Sequence, residues 1–233
     1  MRPGVSIEHL KHTGNYIAEK RPNVIVCIGD FADMPSLSSY AIGKADAEGQ
    51  RYVADIKAAR RAMETLLEPV RKVKNYKPRM VLTLGNHEDR ITREVEANPR
   101  LIGKISIDDL GYKDAGWEVV PFLKVIKIDG FEYVHYFTSG VMGRPVSSAA
   151  ALLRERHCSG VMGHVQLTDI AFHKKSGHIG IIAGCCYTHE EKYLTPQMNG
   201  TSQRRQIIML HEVHDGIADP MLVSLKFLKA NYA

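Results

Sequence analysis

Little in the composition ties this chain to a membrane, an oxidising compartment or a nucleic acid. None of its apolar runs approaches the ~18 residues that a membrane-spanning helix needs. The opening Met1-Arg2-Pro3-Gly4 lacks the apolar core of a secretory signal peptide, so a soluble cytoplasmic protein is expected. The four cysteines, Cys27, Cys158, Cys185 and Cys186, are too few for a disulfide scaffold, and no Cys-x-x-Cys spacing suggests structural zinc. Reduced, packed thiols are expected. No repeat, low-complexity tract or linker interrupts the 233 residues, so a single domain over 1–233 is expected. The charge excess is small, 31 basic against 26 acidic side chains for a net +5; it tolerates anionic substrates without implying a nucleic-acid binder. The 44% hydrophobic and 24% charged content is ordinary for a globular protein.

What is present is a pattern of short apolar runs that end abruptly at Gly or at a metal-capable residue. Val24–Ile28 runs into Gly29-Asp30-Phe31-Ala32-Asp33, and Met80–Leu84 into Gly85-Asn86-His87-Glu88. Phe131–Val134 ends at His135, and Gly160–Met162 is followed by Gly163-His164-Val165-Gln166. Buried strands read as continuous apolar runs, and ligands of α/β sheets gather beyond the carboxyl ends of the strands. Strands lying side by side would bring Asp30, Asn86, His135 and His164 to one rim.

The periodicity predicts a helix from Ser6 to Arg21, with Ile7, Leu10, Gly14 and Ile17 on one face, and a longer one from Gln50 to Asn75. Strand, helix and strand then form a βαβ unit, with Val24–Ile28 and Met80–Leu84 as parallel neighbours. The basic side chains of the long helix read as a solvated face, because no aromatics interleave with them as a stacking platform would require. Further on, helices are expected over Arg90–Asn98 and Ser147–His157. Trp117–Ile128 and Phe131–Phe137 should form an antiparallel hairpin turning at Asp129-Gly130. Gly177–Cys186 and Gln206–Leu228 supply further strands, the latter turning at Asp215-Gly216.

An Asp, an Asn and two His residues offer oxygen and nitrogen donors without thiolate, which suits Mn²⁺, Fe or Zn²⁺. A carboxylate at a strand end can bridge two cations that clamp a phosphoryl group and activate a water. His87, next to Asn86, is then available to the substrate, and Asp33 can keep it protonated as general acid for the leaving oxygen. Arg90 and Arg144 follow the motif loops and are candidate substrate-binding phosphate clamps, because the guanidinium fork matches phosphate oxygens. Each residue also has a plainer reading: Asp30 as a turn residue, Asn86 as a helix cap, His135 as a core histidine, and both arginines as surface charge.

Taken in order, Gly29-Asp30-x-x-Asp33, Gly85-Asn86-His87-Glu88, His135 and Gly163-His164 resemble the calcineurin-like metallophosphoesterases, over about Val24 to Gln166. The wording from Asp33 to Tyr40 looks like a branch common in bacteriophages, which would place the protein in the host cytoplasm. The resemblance implies an α/β fold, a four-layer αββα sandwich of two mixed sheets flanked by helices. It implies a dinuclear metal centre in which Asp30 bridges and Asn86, His135 and His164 complete the second site. His87 would be the catalytic acid and Asp33 its partner. The implied activity is phosphoester hydrolysis by a metal-activated water, with phosphodiesters, including nucleic acids and nucleotides, slightly favoured over monoesters. Mn²⁺ is the implied ion, with Fe, Zn²⁺ or Ni²⁺ as alternatives; no membrane partner is implied, and the oligomeric state is open.

The chain departs from that pattern twice. The family begins with a strand ending in Asp-x-His, and nothing before Val24 supplies one. Its last motif reads Gly-His-x-His, whereas Gln166 stands at the final position here, a neutral ligand through its amide oxygen. The departures admit three expectations: a start further upstream, a one-metal enzyme, or a catalytically impaired protein that keeps the fold as a metal-binding module.

Overall fold

In a computed structural model, residues 1–190 and 204–233 are described. They form two compact units, Met1–Phe122 with Tyr232–Ala233, and Leu123–Asn231. No helix among the described residues is long and apolar enough to cross a membrane.

The first unit contains α1 (Glu8–Lys20), β1 (Val24–Cys27), α2 (Tyr52–Arg71), β2 (Arg79–Thr83), α3 (Asp89–Ala97) and β3 (Glu118–Val120). Its strands form a parallel sheet in the order β1-β2-β3, so the expected βαβ unit is present with Val24 opposite Arg79. α2 buries Ala59, Met63, Leu66, Leu67 and Val70 at the spacing its sequence announces, and α1 contributes Leu10, Tyr16 and Ile17. The helices touch at Gly14, where a Cβ would lie 2.3 Å from the Leu66 carbonyl oxygen. Glycine is required there for space.

The second unit contains β4 (Ile126–Ile128), β5 (Phe131–Tyr133), β6 (Thr138–Ser139), β7 (Arg144–Pro145), α4 (Ala149–Arg156), β8 (Ser159–Met162), β9 (Thr168–Phe172), β10 (Ile179–Ala183), β11 (Gln206–His214), β12 (Ile217–Ser224) and α5 (Leu225–Tyr232). Five of these strands make a mixed sheet in the order β4-β5-β8-β10-β9, with β5, β8 and β10 parallel. α4 lies on this sheet, capped by the Ser148 hydroxyl, which accepts the Ala151 N–H at 3.1 Å. Val134, Phe137, Val146, Leu152, Met162 and Ile182 form its core. Both Asp-Gly turns have positive φ at each central residue, 48° and 85° at Asp129-Gly130 and 46° and 80° at Asp215-Gly216, as two-residue hairpins require. The turns pack together through a 2.9 Å bond from the Gly216 N–H to the Asp129 carbonyl.

The α/β class is as expected, but several details differ. The first sheet is parallel; only the second is mixed. Trp117–Ile128 is not one strand of a hairpin: Glu118–Val120 joins the first sheet and Ile126–Ile128 the second. Pro121, which has no N–H for a ladder, lies just past the end of β3, and Leu123 has φ 60°. The strand from Phe131 ends at Tyr133 rather than Phe137. The run to Leu228 leaves the sheet at Ser224, whose hydroxyl accepts the Phe227 N–H at 3.1 Å and opens α5.

Candidate metal and acid site

In the first unit, two loops leave the carboxyl ends of neighbouring parallel strands: Gly29-Asp30 after β1, and the turn Gly85-Asn86-His87-Glu88 after β2. Asp30 has φ 54°, a left-handed conformation that costs a non-glycine residue energy and tends to persist where function needs it. Its carboxylate is fixed from the second loop, because the His87 N–H donates to Asp30 Oδ1 at 3.0 Å. The approach depends on Gly85, where a Cβ would fall 2.1 Å from Oδ1 and 2.3 Å from the Asp30 nitrogen. Asn86 lies in the same turn, and its backbone carbonyl accepts from Arg93 Nη2 at 2.9 Å.

The expected pairing of His87 with Asp33 is present, 2.6 Å from Nδ1 to Asp33 Oδ1. Asp33 therefore sets the ring's tautomer, with the proton on Nδ1, and turns Nε2 toward Asp30, 3.9 Å from its Oδ2. Burial opposes charge on the imidazole, but the Asp33 bond and the Asp30 carboxylate outweigh it, and the His87 pKa is raised. Burial likewise opposes charge on Asp33. There the His87 bond, the His87 charge and Arg2 prevail, holding the carboxyl at about 2. Arg2 Nη1 lies 3.3 Å from Asp33 Oδ2, and Arg90 Nη1 lies 3.6 Å from Oδ1. Arg90 also donates through Nη1 to the backbone carbonyls of Asp33 at 2.7 Å and Met34 at 3.3 Å. This guanidinium thus fastens the Asp33 loop as well as standing 3.5 Å from His87 Nε2.

In the second unit, His135 follows β5 and His164 follows β8, again neighbouring parallel strands. The Gly163 N–H donates to the His135 carbonyl at 2.9 Å and ties the two strand ends together. His164 Nδ1 lies 3.3 Å from His135 Nε2 with the rings nearly perpendicular, so the two imidazole nitrogens are within hydrogen-bond distance of each other. His135 is buried, while His164 is exposed and has φ 60°. The amide oxygen of Gln166, the atom that would coordinate a cation, accepts from the Tyr187 hydroxyl. Tyr187 in turn stacks on His189 and lies under the Arg205 guanidinium. Arg144 is exposed on β7.

Asp30 in the first unit, and His135 and His164 in the second, are one carboxylate and two imidazoles of the kinds that could serve a metal ion. No family model matches the chain, and no curated protein does. Glu88, the last residue of the Gly85–Glu88 motif, has a partner that the motif does not announce: the hydroxyl of Tyr112, 24 positions on, donates to it. The available signal was a carboxylate inside an otherwise glycine- and ligand-rich turn that follows a buried strand. Asp55 carries no local signal; it is buried in α2 and accepts the Ser36 N–H at 2.9 Å, anchoring the loop that follows Asp33.

Proposed function

We propose that this protein is a metal-dependent phosphoester hydrolase in which Asp30, His135 and His164 hold a divalent ion and His87 protonates the leaving oxygen. The observation that carries the reading is the 2.6 Å His87–Asp33 pair, with the opposite ring nitrogen turned toward the Asp30 carboxylate. The order of the motifs, similar to that of calcineurin-like metallophosphoesterases, supports it, and the four-layer sandwich belongs to the same proposal.

The donor set fits the ion. One hard carboxylate and two borderline imidazoles suit Mn²⁺, with Fe, Zn²⁺ and Ni²⁺ as alternatives; the resemblance adds the Asn86 amide oxygen as a further ligand. When bound, such an ion polarises a phosphoryl oxygen and lowers the pKa of a coordinated water. The chain's own residues supply the proton. Asp33 favours the charged imidazole and keeps it correctly turned, His87 would present Nε2–H to the leaving oxygen, and Arg90 keeps the Asp33 loop closed on the ring. Diesters are slightly favoured as substrates by the likeness of the Asp33–Tyr40 wording to a branch common in bacteriophages.

One observation favours a second reading, a metal-binding module without turnover: the Gln166 amide oxygen is engaged by Tyr187. Hydrolysis of bis-para-nitrophenyl phosphate separates the two. Turnover should appear on adding Mn²⁺ and disappear with a chelator. Metal-loaded protein that is inert with Mn²⁺, Fe, Zn²⁺ and Ni²⁺ would favour the module.

A further inference from the structure

Glu88 is fully buried, yet it carries a carboxylate, the side chain that least tolerates an apolar interior unless its charge is met. Backbone N–H groups from both loops of the acid site meet it. Oε2 accepts from Asp30 and from Gly85, each at 2.9 Å. Oε1 accepts from Ala32 at 2.9 Å and from the Tyr112 hydroxyl at 3.2 Å. Tyr112 is itself buried and packs edge-on against Phe31, so the hydroxyl approaches from a fixed direction.

We propose that Glu88 is a positioning residue of the site, a buried carboxylate that staples the β1 loop to the β2 turn and so sets the Asp30 carboxylate and His87. The staple acts at two points of one short circuit. Glu88 holds the Asp30 N–H, and the Asp30 side chain holds the His87 N–H, so Asp30 cannot turn without breaking one of the two bonds. It also holds Asp30 in its left-handed conformation, which an unsupported aspartate would leave. Oδ1 is thereby kept against the turn, and Oδ2 is kept on the Nε2 side of His87. Four donors converging on one carboxylate need both oxygens as acceptors. Glutamine has nearly the same shape but turns an NH₂ toward N–H groups, so the staple is specific for the anion.

This inference rests on the hydrolase reading for its effect on activity, but its structural arm does not. In Glu88→Gln, the amides of Asp30, Ala32 and Gly85 should exchange hydrogen at least tenfold faster than in the parent protein, while those of β8 and β10 keep their rates. Mn²⁺ affinity, titrated with the metal alone, should fall about 10–100-fold, the usual effect of removing a group that orients a ligand. On bis-para-nitrophenyl phosphate kcat should fall by a similar factor, with KM within about threefold, a split that general loosening of the fold would not produce. Tyr112→Phe removes one donor of the four and should give the same pattern at smaller size, and it serves if Glu88→Gln does not fold. Unchanged exchange at Asp30, Ala32 and Gly85, or acceleration spread equally over both units, would overturn the proposal. Parent protein that neither binds Mn²⁺ nor cleaves the diester, while those amides respond to the substitution, would overturn the hydrolase reading and leave the staple standing.

Discussion

His87→Ala should lower kcat for a phosphodiester about 10²–10⁴-fold, the span of a positioned general acid, while Mn²⁺ binding is retained. Retention follows because His87 lies outside the proposed donor set of Asp30, His135 and His164. The substitution should also leave the fold intact, because Asp33 keeps Arg2 at 3.3 Å and Arg90 at 3.6 Å as charged neighbours. The loss should depend on the leaving group. Nitrophenolate departs with little protonation, so an aryl diester should report the low end of the range and an alkyl diester the high end. Asp33→Asn should reproduce much of the effect, since an amide can still accept from Nδ1 but no longer stabilises the charged ring. Steady-state rates on the two esters, beside a metal titration, check the prediction. Equal loss on both esters would remove His87 from the proton-transfer role.

The second large effect is expected at a residue with no functional group. Gly85→Ala places a Cβ 2.1 Å from Asp30 Oδ1 and 2.3 Å from the Asp30 nitrogen. Neither atom can yield cheaply, because the nitrogen is bonded to Glu88 and the carboxylate to the His87 N–H. Relief must separate the two loops. The variant should lose about 3 kcal/mol of stability, the upper end for overpacking a tight site. Where it still folds, Mn²⁺ affinity should fall by about tenfold or more. Chemical denaturation and metal titration measure the two effects; a Gly85→Ala protein with parental stability and affinity would contradict the described loop contact.

Much of this arrangement was legible in the sequence, for reasons that can be named. The apolar runs at Val24 and Met80 and the period of α2 place two parallel strands side by side, which puts Asp30 and the His87 turn on adjacent loops. His135 and His164 were readable in the same way, as polar residues at the ends of buried strands that pair in parallel. The Asp-Gly dipeptides marked both hairpins because few other pairs accept two positive φ values in succession. Other features were hidden. Pro121 lies inside an apolar stretch, so hydropathy ran through a point where the backbone leaves one sheet for another. β9 shows no alternation, because its residues are nearly all half-buried, and α5 begins inside an apolar run that reads equally well as strand. The bonds of Glu88 to Asp30 and Ala32, and of Tyr112 to Glu88, join residues 58, 56 and 24 positions apart, and no local pattern encodes them.

In the proposed site one divalent ion takes a carboxylate from the β1 loop and imidazoles from the residues that follow β5 and β8. Crystals grown with Mn²⁺ and measured at its absorption edge test it most directly. The expected result is an anomalous peak bonded to Asp30, His135 and His164; Mn²⁺ bound elsewhere, with those three side chains bare, would rule the site out.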